Sequence, residues 1–133
     1  MSVPMKSHKG DIRLSASDLA NHLGCRHLTF LDLAVSRGEL AAPIYKDVAL
    51  EALQERGLEH EKAYVESLRI QGLSIVRLPD DLPTQGAVDQ TCAAMRDGHD
   101  VIVQATLLRD GWMGRADVLR RVEVPTPTWG GYS

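Results

Sequence analysis

The chain has 133 residues, 44% hydrophobic and 25% charged, with net charge -3 and a pI of about 5.9. This is the balance of one globular domain with a small core, and it excludes a bulk polycation, so any nucleic-acid contact must come from a local patch. Two distant cysteines, Cys25 and Cys92, exclude a disulfide framework and predict a reduced, cytoplasmic setting, while no apolar run reaches the roughly 18 residues of a membrane span.

Residues 1–13 read as a loose leader with no apolar stretch of a signal peptide. Ser15-Ala-Ser-Asp18 supplies N-cap chemistry, and Leu19, Leu23, Leu28 and Leu31 predict a helix or helix pair over about 16–36, closed by Arg37-Gly38. Lys46 to Gln71 carries the longest helical pattern and stops at Gly72. Leu73 to Leu78 reads as a short strand ended by Pro79. A helix then opens at Pro83-Thr84, with Val88, Cys92 and Met95 on its apolar side and Gly98 at its end. Val101 to Leu108 is the nearly unbroken apolar run of a buried strand, Asp110-Gly111 is a hairpin turn, and Trp112 to Val122 is the returning strand. The remaining segment, 124–133, reads as an irregular tail. The order predicts an α/β (α+β) domain.

The long helix carries a misplaced charge. With Leu50 at zero, Leu68 returns to about 0°, Gly57 falls near 340°, Tyr64 near 320° and Glu61 near 20°. Glu61 thus lies inside the apolar stripe, and His60, near 280°, lies at its edge. A carboxylate there needs a partner or a cation. One reading pairs Glu61 with a buried arginine; the other gives it a metal. Gly57, one turn earlier, leaves room for another group to approach closely.

A second acid lies within the returning strand, where aspartate is disfavoured. Period two puts Asp117 on one face with Met113, Arg115 and Leu119. Either Arg115 and Asp117 form a surface pair, or Asp117 joins Glu61 around a hard divalent cation.

The run Gly57-Leu-Glu-His-Glu61 resembles the G-x-x-x-H/E helix motif of RecB-like nucleases of the PD-(D/E)XK superfamily. Gly114-Arg-Ala-Asp117-Val-Leu resembles their G-x-x-D-hydrophobic strand motif. The opening Ser15-Ala-Ser-Asp-Leu, with Cys25-Arg-His-Leu after it, is similar to the start of those members that hold an iron–sulfur cluster. The resemblance spans 14 to about 123. It implies an incomplete restriction-endonuclease-like αβαββ core behind a helical N-terminal part. It also implies that Asp117 and Glu61 or His60 hold Mg²⁺ or Mn²⁺ for hydrolysis of DNA, with helical phase favouring Glu61. A helicase domain or subunit is an implied partner. Arg56 and Arg115, with Arg69, Arg120 and Arg121, are candidate phosphate contacts.

The sequence departs from that pattern in two ways. Its lysines are Lys6, Lys9, Lys46 and Lys62, so none follows Asp117 and the D/E-x-K motif of the family is missing. A 4Fe-4S cluster would need three further cysteines at the C-terminal end, so Cys25 is expected to be a buried thiol and Cys92 a core residue. The expectation is a truncated nuclease domain, inactive as written. Two other readings compete. Asp18 to Leu31 resembles a helix-turn-helix, with Arg26, His27 and Thr29 towards DNA, although the second helix is apolar and carries Asp32. A non-catalytic interaction domain with structural acids is the other.

Overall fold

The computed structural model describes residues 5–8, 10–44, 46–127 and 130–132. Residues 1–4 and Lys9 of the expected leader, and Thr128, Trp129 and Ser133 of the expected tail, lie outside the described residues. The described elements are β1 (Lys6–His8), β2 (Asp11–Arg13), α1 (Ala16–Gly24), α2 (Arg26–Ser36), α3 (Val48–Ile70), β3 (Ile75–Arg77), α4 (Thr84–Asp97), β4 (Val101–Arg109), β5 (Trp112–Thr126) and β6 (Gly130–Tyr132). The class is mixed α/β, with a four-stranded sheet in the order β3-β4-β5-β6 and a separate β1-β2 pair. The chain forms two compact units. One holds Met1–Glu51 and Leu108–Gly114; the other holds Ala52–Leu107 and Arg115–Ser133.

In the first unit, the expected loose leader contains an antiparallel hairpin, Lys6 opposite Arg13 and His8 opposite Asp11. Its turn uses Gly10 at φ +88°, a conformation glycine adopts freely. These short strands have no apolar alternation, which is why patterning passes over them. Leu14 then bridges Trp112 in parallel, donating to the Gly111 carbonyl and accepting from the Met113 amide. Helix α1 starts with a full capping box. Ser15 accepts from the Asp18 amide, and the Asp18 carboxylate accepts from the Ser15 amide and hydroxyl, both at 2.7 Å. The predicted pair of helices is present, and Cys25 alone separates α1 from α2.

In the second unit, β3 runs parallel to β4, Ile75 opposite Val101 and Arg77 opposite Val103. The two strands are clamped at their start. Asp100 accepts from the Ser74 amide at 2.8 Å and from its hydroxyl at 3.0 Å, and the Ser74 hydroxyl accepts from the Asp100 amide. Helix α4 ends on Gly98 in the left-handed region, as expected. Its buried stripe is Ala87, Thr91 and Ala94, one residue out of phase with the predicted one. Cys92 is accordingly exposed rather than in the core. The hairpin turn at Asp110-Gly111 has φ +51° and +81°, the two positive values of a type I′ turn.

The sheet is covered on both faces. Leu78, Ala94, Ile102, Ala105 and Tyr132 form one cluster, joined by Met95 of α4. Leu68, Val101 and Val103 form the other, joined by Val65 of α3. Val101, Ile102 and Val103 are wholly buried, each worth on the order of 1.5–3 kcal/mol of apolar burial. The expected irregular tail is structured at its end. Strand β5 continues to Thr126, and β6 pairs with it antiparallel at Arg121 opposite Tyr132. Tyr132 is buried and donates its hydroxyl to the His99 carbonyl at 2.7 Å. A buried aromatic with a satisfied hydroxyl anchors a segment that its turn-rich composition conceals. No described helix is long and apolar enough to cross a membrane.

Candidate functional site

Within α3, Glu61, Val65 and Leu68 follow one another at helical spacing. Val65 and Leu68 pack on the apolar part of the sheet. One turn earlier the sheet presents polar groups, and Glu61 meets them with its side chain only 12% exposed. It accepts from Arg77 of β3 at 3.3 Å and from Gln104 of β4 at 3.0 Å. The expected arginine partner is therefore present, although Arg77 is itself 48% exposed. The rest of the predicted stripe is mostly open: Leu53 is 65% exposed, and Leu50 and Tyr64 are also exposed.

Asp117 enters from β5, and its carboxylate accepts from the same Gln104 nitrogen at 3.4 Å. One amide nitrogen thus serves both acids. The two carboxylates singled out in the sequence, 56 residues apart in the chain, converge on a single donor. The face assignment of β5 needs correction. Leu119 and Ala116 pack in one cluster and Val118 in the other, so strict alternation fails around Asp117. Arg115 pairs with Asp80 rather than with Asp117.

Gln104 reaches this position through an unusual backbone. Its φ is +60°, in the left-handed region, inside a strand. Residues Val101 and Val103 face one cluster and Ile102 the other, but Ala105 joins Ile102, so the two-residue period breaks at Gln104. A bulky residue pays roughly 1–3 kcal/mol for such a conformation, which persists only where surrounding contacts hold it.

The acids border a groove of about 860 Å³ lined by Gly57, His60, Glu61, Tyr64, Asp117 and Val118, among others. Gly57 has open space around it and no close neighbour. His60 is exposed and contributes to the rim. The oxygens of Glu61 and Asp117 are the donor type that Mg²⁺ and Mn²⁺ prefer, and their convergence fits two ligands of such an ion. Among the described residues no group of three or more His, Cys, Asp or Glu side chains could hold a metal. The fit is thus that of two carboxylates with further oxygens to be supplied.

Among the described residues, none of the other predicted residues hydrogen-bonds to this pair. Cys25 is exposed at the α1–α2 junction, correcting the expected buried thiol. Arg56 is exposed on α3, Arg69 pairs with Glu66, and Arg121 donates to the Gly98 carbonyl. The helix-turn-helix reading loses its turn, since one residue separates α1 from α2 where such motifs use three or four. Thr29 is engaged with His22 at 2.8 Å. Gln104 and Arg77 were missed in the sequence. Gln104 is the one amide of β4, but nothing in the sequence marks the break in alternation that turns it towards Glu61. Comparison of the chain with family models, with curated proteins and with solved structures finds no match.

Proposed function

We propose that this chain carries the helix and strand acids of a metal-dependent nuclease of the RecB-like PD-(D/E)XK class, with an incomplete restriction-endonuclease-like core. The observation that carries the reading is the convergence of Glu61 and Asp117 on one Gln104 nitrogen. The acids come from a helix motif and a strand motif that together resemble that class. In this reading Glu61 and Asp117 hold Mg²⁺ or Mn²⁺, and His60 stands at the groove's rim. The bound ion would polarise the phosphodiester and stabilise charge developing on it. Arg56 and Arg115 would contact DNA phosphates, Arg115 after release from Asp80. A helicase partner is a further implication of the resemblance, and so, only in a longer form that supplies three more cysteines, is an iron–sulfur cluster at Cys25. The 133 residues lack the lysine of the class, so they supply the acids without the group that orients the attacking water.

A second reading has its own support. Glu61 is already satisfied by Arg77 and Gln104, as in a structural polar network of a non-catalytic domain. The two readings differ in their response to divalent ions. The coding DNA beyond the Ser133 codon should be read in all frames and the longer product expressed. If it encodes a D/E-x-K strand, that product is expected to cleave DNA with Mg²⁺ or Mn²⁺ and to lose cleavage in Asp117→Asn and Glu61→Gln. No such coding sequence, together with thermal stability indifferent to Mn²⁺, would favour the non-catalytic domain.

A further inference from the structure

We propose that the outer edge of β3 takes an extended, acidic peptide segment of a partner protein as an added strand, its carboxylates read by Lys62 and Arg69 of α3. Strand β3 ends the sheet order β3-β4-β5-β6, so among the described residues only one of its edges is paired. Its hydrogen bonds to β4 show which backbone groups are engaged. The Ser74 carbonyl accepts from the Val101 amide at 3.0 Å, and the Leu78 amide donates to the Val103 carbonyl at 3.1 Å. In a parallel ladder alternate residues serve one neighbour. Ser74, Val76 and Leu78 therefore face β4, while Ile75 and Arg77 turn their N–H and C=O groups outward. An open row of that kind is a template for another strand. Recognition in this mode combines main-chain pairing with pockets for alternate side chains.

A pocket of the right kind borders that edge. Lys62, Glu66 and Arg69 follow one another at helical spacing and form one stripe of α3. With Arg77 they wall a cavity of about 240 Å³ that reaches Ile75 and Val103. This is smaller than the roughly 300–1,000 Å³ of small-molecule sites and suits a side chain of a bound strand. Three cations meet one acid there, in a chain whose net charge is -3. Glu66 engages Arg69 at 3.4 Å and Glu61 engages Arg77 at 3.3 Å, whereas Lys62 forms no ion pair among the described residues. The positive excess selects an occupant that carries carboxylates. It disfavours a second copy of this chain, because pairing β3 with its own symmetry mate would bring two basic stripes together. A nucleic-acid strand would satisfy the charges but has no row of peptide N–H groups to answer the outward carbonyls of Ile75 and Arg77. All these residues belong to the second unit, and none of the argument depends on the metal-binding reading.

The test follows amide chemical shifts and hydrogen exchange in the isotope-labelled chain, titrated with a short blocked peptide of alternating glutamate and valine. The Ile75 and Arg77 amides are expected to shift and to gain protection, while the Leu78 amide, already bonded to β4, changes little. Lys62→Gln combined with Arg69→Gln, both at exposed helix positions, should weaken binding roughly 2–30-fold, the loss of two exposed ion pairs. The same peptide methylated on every backbone nitrogen should not bind, because it can no longer pair with the edge. A peptide with lysine in place of glutamate should bind more weakly than the acidic one. No response of Ile75 and Arg77 to the glutamate peptide would overturn the proposal, and so would an equal response to the lysine peptide or binding of the methylated one. A response of the same two amides to oligothymidylate but not to the peptide would assign the edge to a nucleic acid and overturn it as well.

Discussion

Asp100 shows how much one residue can organise. Its carboxylate accepts two hydrogen bonds from Ser74, and these, with a lesser contribution from Arg121, hold its pKa below the ordinary aspartate value. A carboxyl whose folded pKa is depressed contributes stability above its unfolded pKa and loses it as pH falls through the folded one. Urea midpoints are therefore expected to drop on acidification below the ordinary aspartate range. Ser74→Ala removes the hydroxyl donor but leaves the larger backbone amide contribution, so it should lower the midpoint at neutral pH and partly flatten that acid slope; an unchanged slope would show that the hydroxyl has no share in depressing Asp100. Glu61 was legible at this scale because a charge in an apolar stripe stands out on a helical wheel. Gln104 was not, since the period-two rule gives no warning of a phase break, and the left-handed φ that causes it has no side-chain signature in glutamine.

At the scale of elements, the ends carry more information than the middles. Helix α1 begins at the residue its capping chemistry dictates. Asp18 is only 4% exposed, and among the described residues its Oδ1 has no hydrogen-bond partner, so the box depends on the other oxygen. Ser15→Ala is expected to cost about 1 kcal/mol, read as a lowered urea midpoint, the usual loss on removing an N-cap hydroxyl. No loss would mean that the buried aspartate finds equivalent donors elsewhere. Gly98 and the Asp110-Gly111 turn were equally legible, because positive φ selects for glycine and its near substitutes. The buried face of α4 was harder. Val88 and Met95 are more apolar than Ala87, Thr91 and Ala94, yet the small residues are the fully buried ones, and Met95 packs on the same cluster only partly buried. Thr91 is accommodated because its hydroxyl donates to the Ala87 carbonyl and accepts from the Thr106 amide. Close packing, rather than hydrophobicity, set that face.

For the molecule as a whole, the sequence conveyed the α/β class and the order of its main elements, but not its division. The β4–β5 hairpin tip, Leu108–Gly114, groups with the N-terminal segment Met1–Glu51, where Leu14 pairs with it, while the rest of both strands belongs to the sheet. A pattern read along the chain cannot reveal that two strands each serve two units. Likewise, β6 is fixed by Tyr132, whose burial among non-local residues also raises its phenol pKa. The coverage of Val101 to Val103 on both faces has a kinetic counterpart. These amides are paired in the middle of the sheet and shielded by α3 and α4, so solvent reaches them only when the unit opens as a whole. Hydrogen–deuterium exchange should find them among the slowest in the protein, while Lys6 to His8, in a two-stranded ribbon, exchange early. Fast exchange at Val101–Val103 would mean that the centre of the sheet breathes locally, and a strand that breathes could not keep Gln104 at its post between the two acids.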